Sequence, residues 1–276
     1  MGRGWIWGVL CLCAQLVSAA ESTLVFKQES AVPQEFSLSQ LQQRIPSVEL
    51  TTAEPHTANR LQQYRGFNFN KLLDEVYGEH WRDSEELIFH CLDGFQAMIP
   101  VSHFRKYNTV LAYAMSDRAV FKLSSDLAYK KEIELAPFYL VWDTEKNLEV
   151  RNLDINFWSY QVNSIELIRH TETSRTHPPK SSSDSVRRGF EAVRQHCLPC
   201  HSLNGEGGGK APELNYPVNV TEYFREEWLK QWIDNPAKLR WNVKMPPLQV
   251  NLENRPRLIN DIVEYLKVMR DFKQKP

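Results

Sequence analysis

The sequence predicts two domains, a mixed α/β domain followed by an all-α one. Three observations carry that expectation. The chain has 276 residues, more than one domain usually holds. A polar, Pro- and Ser-rich stretch at 172–183 has no apolar period and reads as a linker. Apolar positions recur mainly at strand spacing before it and at helical spacing after it. The expected divisions are a leader at 1–20, an α/β domain at 21–171, the linker at 172–183 and a helical domain at 184–276.

The leader is argued from order. Arg3 gives a positive start, Trp5 to Ala14 a short apolar run, and Ser18-Ala19-Ala20 a small-residue cleavage site. The run is too short to span a bilayer, and no later segment is long and apolar enough to do so. Neither Cys11 nor Cys13 sits in a lipoprotein signal, so the expected product is cleaved, exported to a periplasm and free of membrane spans. Cleavage leaves Cys91, Cys197 and Cys200, an odd count that an oxidising compartment must account for. The balance of 33 basic and 34 acidic residues excludes nucleic acid as a partner, because phosphate binding needs a basic surplus.

In the front domain, Phe69, Leu72, Leu73 and Val76 recur at helical spacing. Leu87 to Leu92 reads as a buried strand, Asp93-Gly94 as a turn, and Phe95 to Ile99 as the returning strand. Val110 to Ala114, Phe138 to Trp142 and Ile165 to Ile168 are further strand-like runs. Alternation puts Cys91 and His90 on opposite faces, so they form no catalytic pair. Cys91 reads as a small buried hydrophobe, with a displaced metal ligand as the alternative.

In the back domain, Val186, Phe190 and Val193 form a stripe that leads into Cys197. Trp228, Leu229, Trp232 and Ile233 mark a short helix stopped at Asn235-Pro236. Leu258, Ile262, Val263, Leu266 and Met269 mark a final helix, started by Asn254 and Pro256.

Cys197-Leu198-Pro199-Cys200-His201 is a C-x-x-C-H segment. Two thiols at this spacing can each form a thioether with one edge of a porphyrin, and the following imidazole can ligate the iron. The expected cofactor is one covalent haem c, attached through Cys197 and Cys200, with His201 as an axial iron ligand. Two other uses of such a pair compete. A redox dithiol normally starts a helix, whereas this pair ends a helical stripe. A structural zinc needs a second ligand pair, which the spacing does not offer.

Beyond that motif, residues 184–272 resemble the class I cytochrome c family. The likeness rests on Gly189 before the motif, on Tyr265 and Leu266 in the last helix, on Ala211-Pro212-Glu213-Leu214, and on Met245-Pro246-Pro247. It implies that Gly189 lets the first and last helices cross closely. It also implies that the Pro212 carbonyl accepts from the second nitrogen of His201, and that Met245 is the sixth iron ligand. Met245 lies outside any apolar stripe and its two prolines stiffen the loop, whereas Met269 falls on the last helix's stripe and reads as core. A thioether ligand favours Fe(II) and raises the potential over bis-histidine ligation.

His196 and His177 read as surface residues, Gly205 to Gly209 as a flexible turn, and Asn219-Val220-Thr221 as a chance match to a glycosylation acceptor. Lys210, Lys238, Arg240 and Lys244 form a modest basic group that would steer acidic partners.

The front domain resembles the sulfite-oxidase-like family of molybdopterin-dependent oxidoreductases. The matching segments are Tyr64-Arg65-Gly66-Phe67, Asp93-Gly94-Phe95, Ile99-Pro100, Leu111-Ala112-Tyr113 and Trp158 to Val162. That family binds molybdenum through a cysteine upstream of the Arg-Gly segment, and Val48 to Pro55 contains none. After Met115 the chain reads Ser116-Asp117-Arg118 in place of the family's pterin-facing elements. The expectation is a retained fold without the cofactor.

The whole reads as an exported mono-haem electron carrier rather than an enzyme in its own right. It would depend on the haem c maturation machinery, and its front domain would dock redox partner proteins or a larger complex. The alternatives are a molybdopterin oxidoreductase feeding its own haem, and a haem-based sensor subunit.

Overall fold

The structure is a computed structural model that describes residues 21–29, 31–125, 131–170, 174–250 and 252–276. The expected leader lies outside the described residues, as do 171 at the end of the expected α/β domain and 172–173 at the start of the expected linker. No helix among the described residues is long and apolar enough to cross a membrane. The architecture is a mixed α/β region followed by a C-terminal helical region.

The α/β region runs β1 (Thr23–Gln28), β2 (Gln34–Ser37), α1 (Leu38–Arg44), β3 (Ser47–Glu54), β4 (Arg60–Asn68), α2 (Phe69–Tyr77), β5 (Glu86–Cys91), β6 (Gln96–Pro100), α3 (Val101–Lys106), β7 (Thr109–Met115), β8 (Lys122–Ser124), β9 (Glu132–Glu134), β10 (Tyr139–Trp142) and β11 (Val162–Ile168). One sheet has the order β2-β1-β11-β5-β6 and the other β10-β7-β4-β3. Only β1 and β11, from opposite ends of the region, pair in parallel in these sheets. Aromatic side chains fill the core, with Phe69, Phe89, Phe104 and Trp142 fully buried and in mutual ring contact.

Two local details explain residues that the sequence singled out. A Cβ on Gly66 would lie 2.3 Å from the Leu111 carbonyl oxygen, at the bulge where β4 crosses close to β7. Along β5, Leu87, Phe89 and Cys91 enter the core, while Glu86, Ile88 and His90 take the other face. That second face looks toward the helical region, which Glu86 reaches through Arg194.

The helical region comprises α4 (Asp184–His196), a hairpin of β12 (Ser202–Leu203) and β13 (Glu206–Gly207), α5 (Val220–Tyr223), α6 (Glu226–Asp234) and α7 (Arg255–Met269). The all-α expectation therefore gains one small hairpin. Ser183 caps α4 by accepting from the Val186 N–H. A Cβ on Gly189 would lie only 1.9 Å from the Asp261 carbonyl oxygen, so α4 and α7 touch backbone to backbone. Asn254 does start α7, but through a left-handed backbone (φ 49°) rather than a side-chain cap.

From residue 174 onward the expected linker lies against the helical region. Thr176 is buried and its carbonyl accepts from the Tyr265 hydroxyl. Glu206 accepts from the Ser174 hydroxyl and the Arg175 N–H. Linker composition gave no sign of this, because the partners come from residues distant in sequence.

Candidate functional site

The C-x-x-C-H segment continues the last turn of α4. Cys197 N–H and Leu198 N–H both donate to Val193 O at 2.9 Å, and Cys200 N–H and His201 N–H then donate to Cys197 O at 3.0 and 2.9 Å. One coil of backbone thus carries both sulfurs and the imidazole. Cys197 and Cys200 are free thiols. Burial pushes the Cys197 thiol up to about 12, and the neighbouring Cys200 adds to the effect. Burial also raises Cys200, against the pull of Lys210. A redox dithiol requires the opposite shift, since the thiolate is the reactive form.

His201 is fixed from behind. Its Nδ1 lies 2.6 Å from the Pro212 carbonyl oxygen, the contact implied by the cytochrome resemblance. A carbonyl only accepts, so Nδ1 carries the hydrogen and the lone pair sits on Nε2. Burial depresses the His201 pKa despite the Pro212 contact, which favours the neutral, metal-binding form. Ala211 N–H to Cys200 O at 2.9 Å, and Leu214 N–H to Ser202 O at 2.8 Å, bring the Pro212 loop back to the motif.

The glycine-rich stretch is an ordered hairpin rather than a flexible turn. Gly207 has φ +108°, and a Cβ there would lie 2.4 Å from His201 O. A Cβ on Gly208 would lie 2.4 Å from Pro199 O. The glycines let this backbone press directly against the motif.

The α/β region closes over the same turn. Gln96 N–H donates to Pro199 O at 2.8 Å, and Gly209 N–H donates to Gly94 O at 2.9 Å. Lys210 pairs with Asp93 at 2.6 Å, and Arg194 with Glu86 at 2.6 Å. The Asp93-Gly94 turn, read from sequence as a hairpin end, thus also contacts the helical region. Lys210 is accordingly half-engaged there rather than free to face a partner.

Met245 lies on the loop between α6 and α7, and the Trp232 indole N–H donates to its sulfur at 3.1 Å. Leu248 N–H donates to Ile233 O at 3.2 Å, and Arg255 donates to the Leu248 and Gln249 carbonyls at 3.0 and 3.1 Å, so the loop is anchored after its prolines. Met269 is fully buried in the helical core. Trp232 was legible only as part of an apolar helix stripe, because nothing in its spacing marks a contact to sulfur.

No family model matches the chain, and no curated protein matches it. The functional reading therefore stands on residue chemistry. The structure brings two partly buried thiols and an imidazole with its second nitrogen already committed onto one turn, while the Met245 thioether lies on a separate loop against Trp232; these are residue types that can hold haem c. No group of three or more His, Cys, Asp or Glu side chains is gathered to hold a metal among the described residues.

Other singled-out residues fall outside this constellation. Cys91 is buried in the front core, which raises its pKa. The stretch Val48 to Pro55, which contains no cysteine, carries Glu54. This carboxylate is fully buried and accepts from Tyr64 at 2.6 Å and Tyr139 at 2.9 Å. His177 is exposed, as read from sequence, and its ring lies tilted against Phe190 with centroids 4.4 Å apart. His196 is no surface residue: its side chain is 7% exposed and faces Asp154. Asn219 is also buried, and its amide donates to Asn215 Oδ1 at 2.7 Å and Leu266 O at 2.9 Å. In the folded chain it offers no amide to a glycan.

Proposed function

We propose that the chain is an exported mono-haem electron carrier whose helical region is of the class I cytochrome c type. The observation that carries this reading is the His201 contact to Pro212, made by a histidine that shares one turn with two cysteines. A redox dithiol has no need of an oriented imidazole, whereas a haem ligand does. Cys197 and Cys200 would hold the group covalently, and His201 and Met245 would ligate its iron. Bound there, the group would supply one-electron Fe(III)/Fe(II) cycling.

The chain's own residues do the rest. Pro212 fixes the imidazole's tautomer and orientation. Trp232 donates to the Met245 sulfur and, by drawing electron density from it, would favour the reduced state of a ligated iron. Ligation by both His201 and Met245 would oppose ligand sensing, and Arg194, Pro199, Gly209 and Lys210 tie the motif to the α/β region. That region reads as a sulfite-oxidase-like fold without cofactor, serving to dock a redox partner or a larger complex. The compartment proposed is the periplasm.

The test is expression of the full chain beside haem c maturation machinery, followed by haem and metal analysis of the purified product. One covalent haem per chain, lost in Cys197→Ser/Cys200→Ser, is expected. A colourless product would refute the carrier reading, and stoichiometric molybdenum would favour the enzyme.

A further inference from the structure

Asp154 belongs to the α/β region and accepts hydrogen bonds from both ligand-bearing segments of the helical region. Its own local need is small. As the residue before the short turn Ile155–Phe157, it caps that turn by accepting from the Asn156 N–H at 2.9 Å. Yet its side chain is only 3% exposed, and a carboxylate so buried is costly unless several donors surround it. Every further partner comes from the helical region. Gln195 Nε2 donates to Oδ2 at 3.4 Å, and His196 Nδ1 lies 3.4 Å from the same oxygen without a hydrogen bond. Gln249 Nε2 donates to the other oxygen, Oδ1, at 2.9 Å.

These partners occupy particular places. Gln195 and His196 directly precede Cys197 at the end of α4. Gln249 follows Met245 on the loop pinned by Trp232 and Arg255. One carboxylate therefore spans the segment that carries His201 and the segment that carries Met245. Resting on the haem-carrier reading, we propose that Asp154 is a positioning residue by which the α/β region holds Met245 in register with His201, so that sixth-site ligation depends on contact between the domains. The Glu86–Arg194 pair also joins the domains, at 2.6 Å, but it reaches α4 alone and provides an internal control.

The test compares imidazole binding to the ferric holoprotein, where imidazole competes with Met245. Asp154→Ala, and Gln249→Ala as the milder variant should the first not fold, are each expected to raise imidazole affinity about tenfold, the equivalent of roughly 1.4 kcal/mol. Glu86→Gln is expected to leave it unchanged. A second readout uses the haem-free Cys197→Ser/Cys200→Ser chain. There Asp154→Ala should speed hydrogen exchange at the Met245, Leu248 and Gln249 amides about tenfold. Unchanged imidazole affinity, or an equal rise in Glu86→Gln, overturns the proposal. If the parent chain takes up no haem, the carrier reading fails by itself, and unchanged exchange in the haem-free chain then overturns the clamp.

Discussion

Gly189→Ala isolates the helix crossing beneath the candidate site. The added Cβ would lie 1.9 Å from the Asp261 carbonyl oxygen and 2.8 Å from the Tyr265 Cβ. Carbon–oxygen contacts in proteins settle at about 3.3–3.6 Å, so α7 must retreat by more than about 1 Å. The obstacle is backbone, and no rotamer change relieves it. Retreat also pulls on Asp261, whose carboxylate accepts from Arg188 Nε at 2.7 Å and from the Ser185 hydroxyl at 2.5 Å, both on α4. Overpacking of this kind costs about 1–3 kcal/mol, and weakening bonds to a buried charge adds roughly 1 kcal/mol. Alanine's better helix propensity offsets about 1 kcal/mol. The expected net loss is about 1–3 kcal/mol. Urea unfolding of the helical region, followed by circular dichroism, would show it as a lower midpoint with unchanged slope. A midpoint equal to or above the parent's would refute the reasoning, because propensity alone predicts a gain.

Three further outcomes are expected. On the proposed carrier reading, Met245→Ala should abolish an Fe–S charge-transfer band of the ferric protein and lower its potential, and an unchanged spectrum would refute Met245 as a ligand. Burial pushes the Asp261 carboxyl up, but donation from Arg188 and Ser185 outweighs it and holds the group below the usual carboxylate range. Its folded value lies below its unfolded one, so its contribution is present above the ordinary carboxylate pKa of about 4 and is lost as pH falls through the depressed value. Asp261→Asn should therefore lower stability at neutral pH and flatten this acid limb in urea midpoints measured against pH. Gly94 has φ +85°, and a Cβ there would lie 3.1 Å from both the Gly209 carbonyl carbon and the Lys210 nitrogen. Gly94→Val should thus cost about 1–2 kcal/mol in backbone strain and speed exchange of the Gln96 and Gly209 amides, while equal exchange would show that this turn does not hold the domains.

The helical stripes and the C-x-x-C-H segment were legible in the sequence because both are local. Val186, Phe190 and Val193 need only a 3.6-residue period to define the buried face of α4, and the motif needs only its spacing. The β5–β6 hairpin was legible for the same reason, since Asp93-Gly94 lies between two short apolar runs. β1 was not, because it pairs with β11 from the far end of the region and no local pattern encodes that partner.

Tertiary structure alone decided how these parts meet. Composition made 172–183 a linker, but distant Glu206 and Tyr265 turned its described part into a fixed edge of the helical region. His196 of the helical region and Asp154 of the α/β region face each other and share no sequence period. A period records which side of an element avoids water, whereas a buried polar contact is chosen by whichever group the folded chain brings within reach.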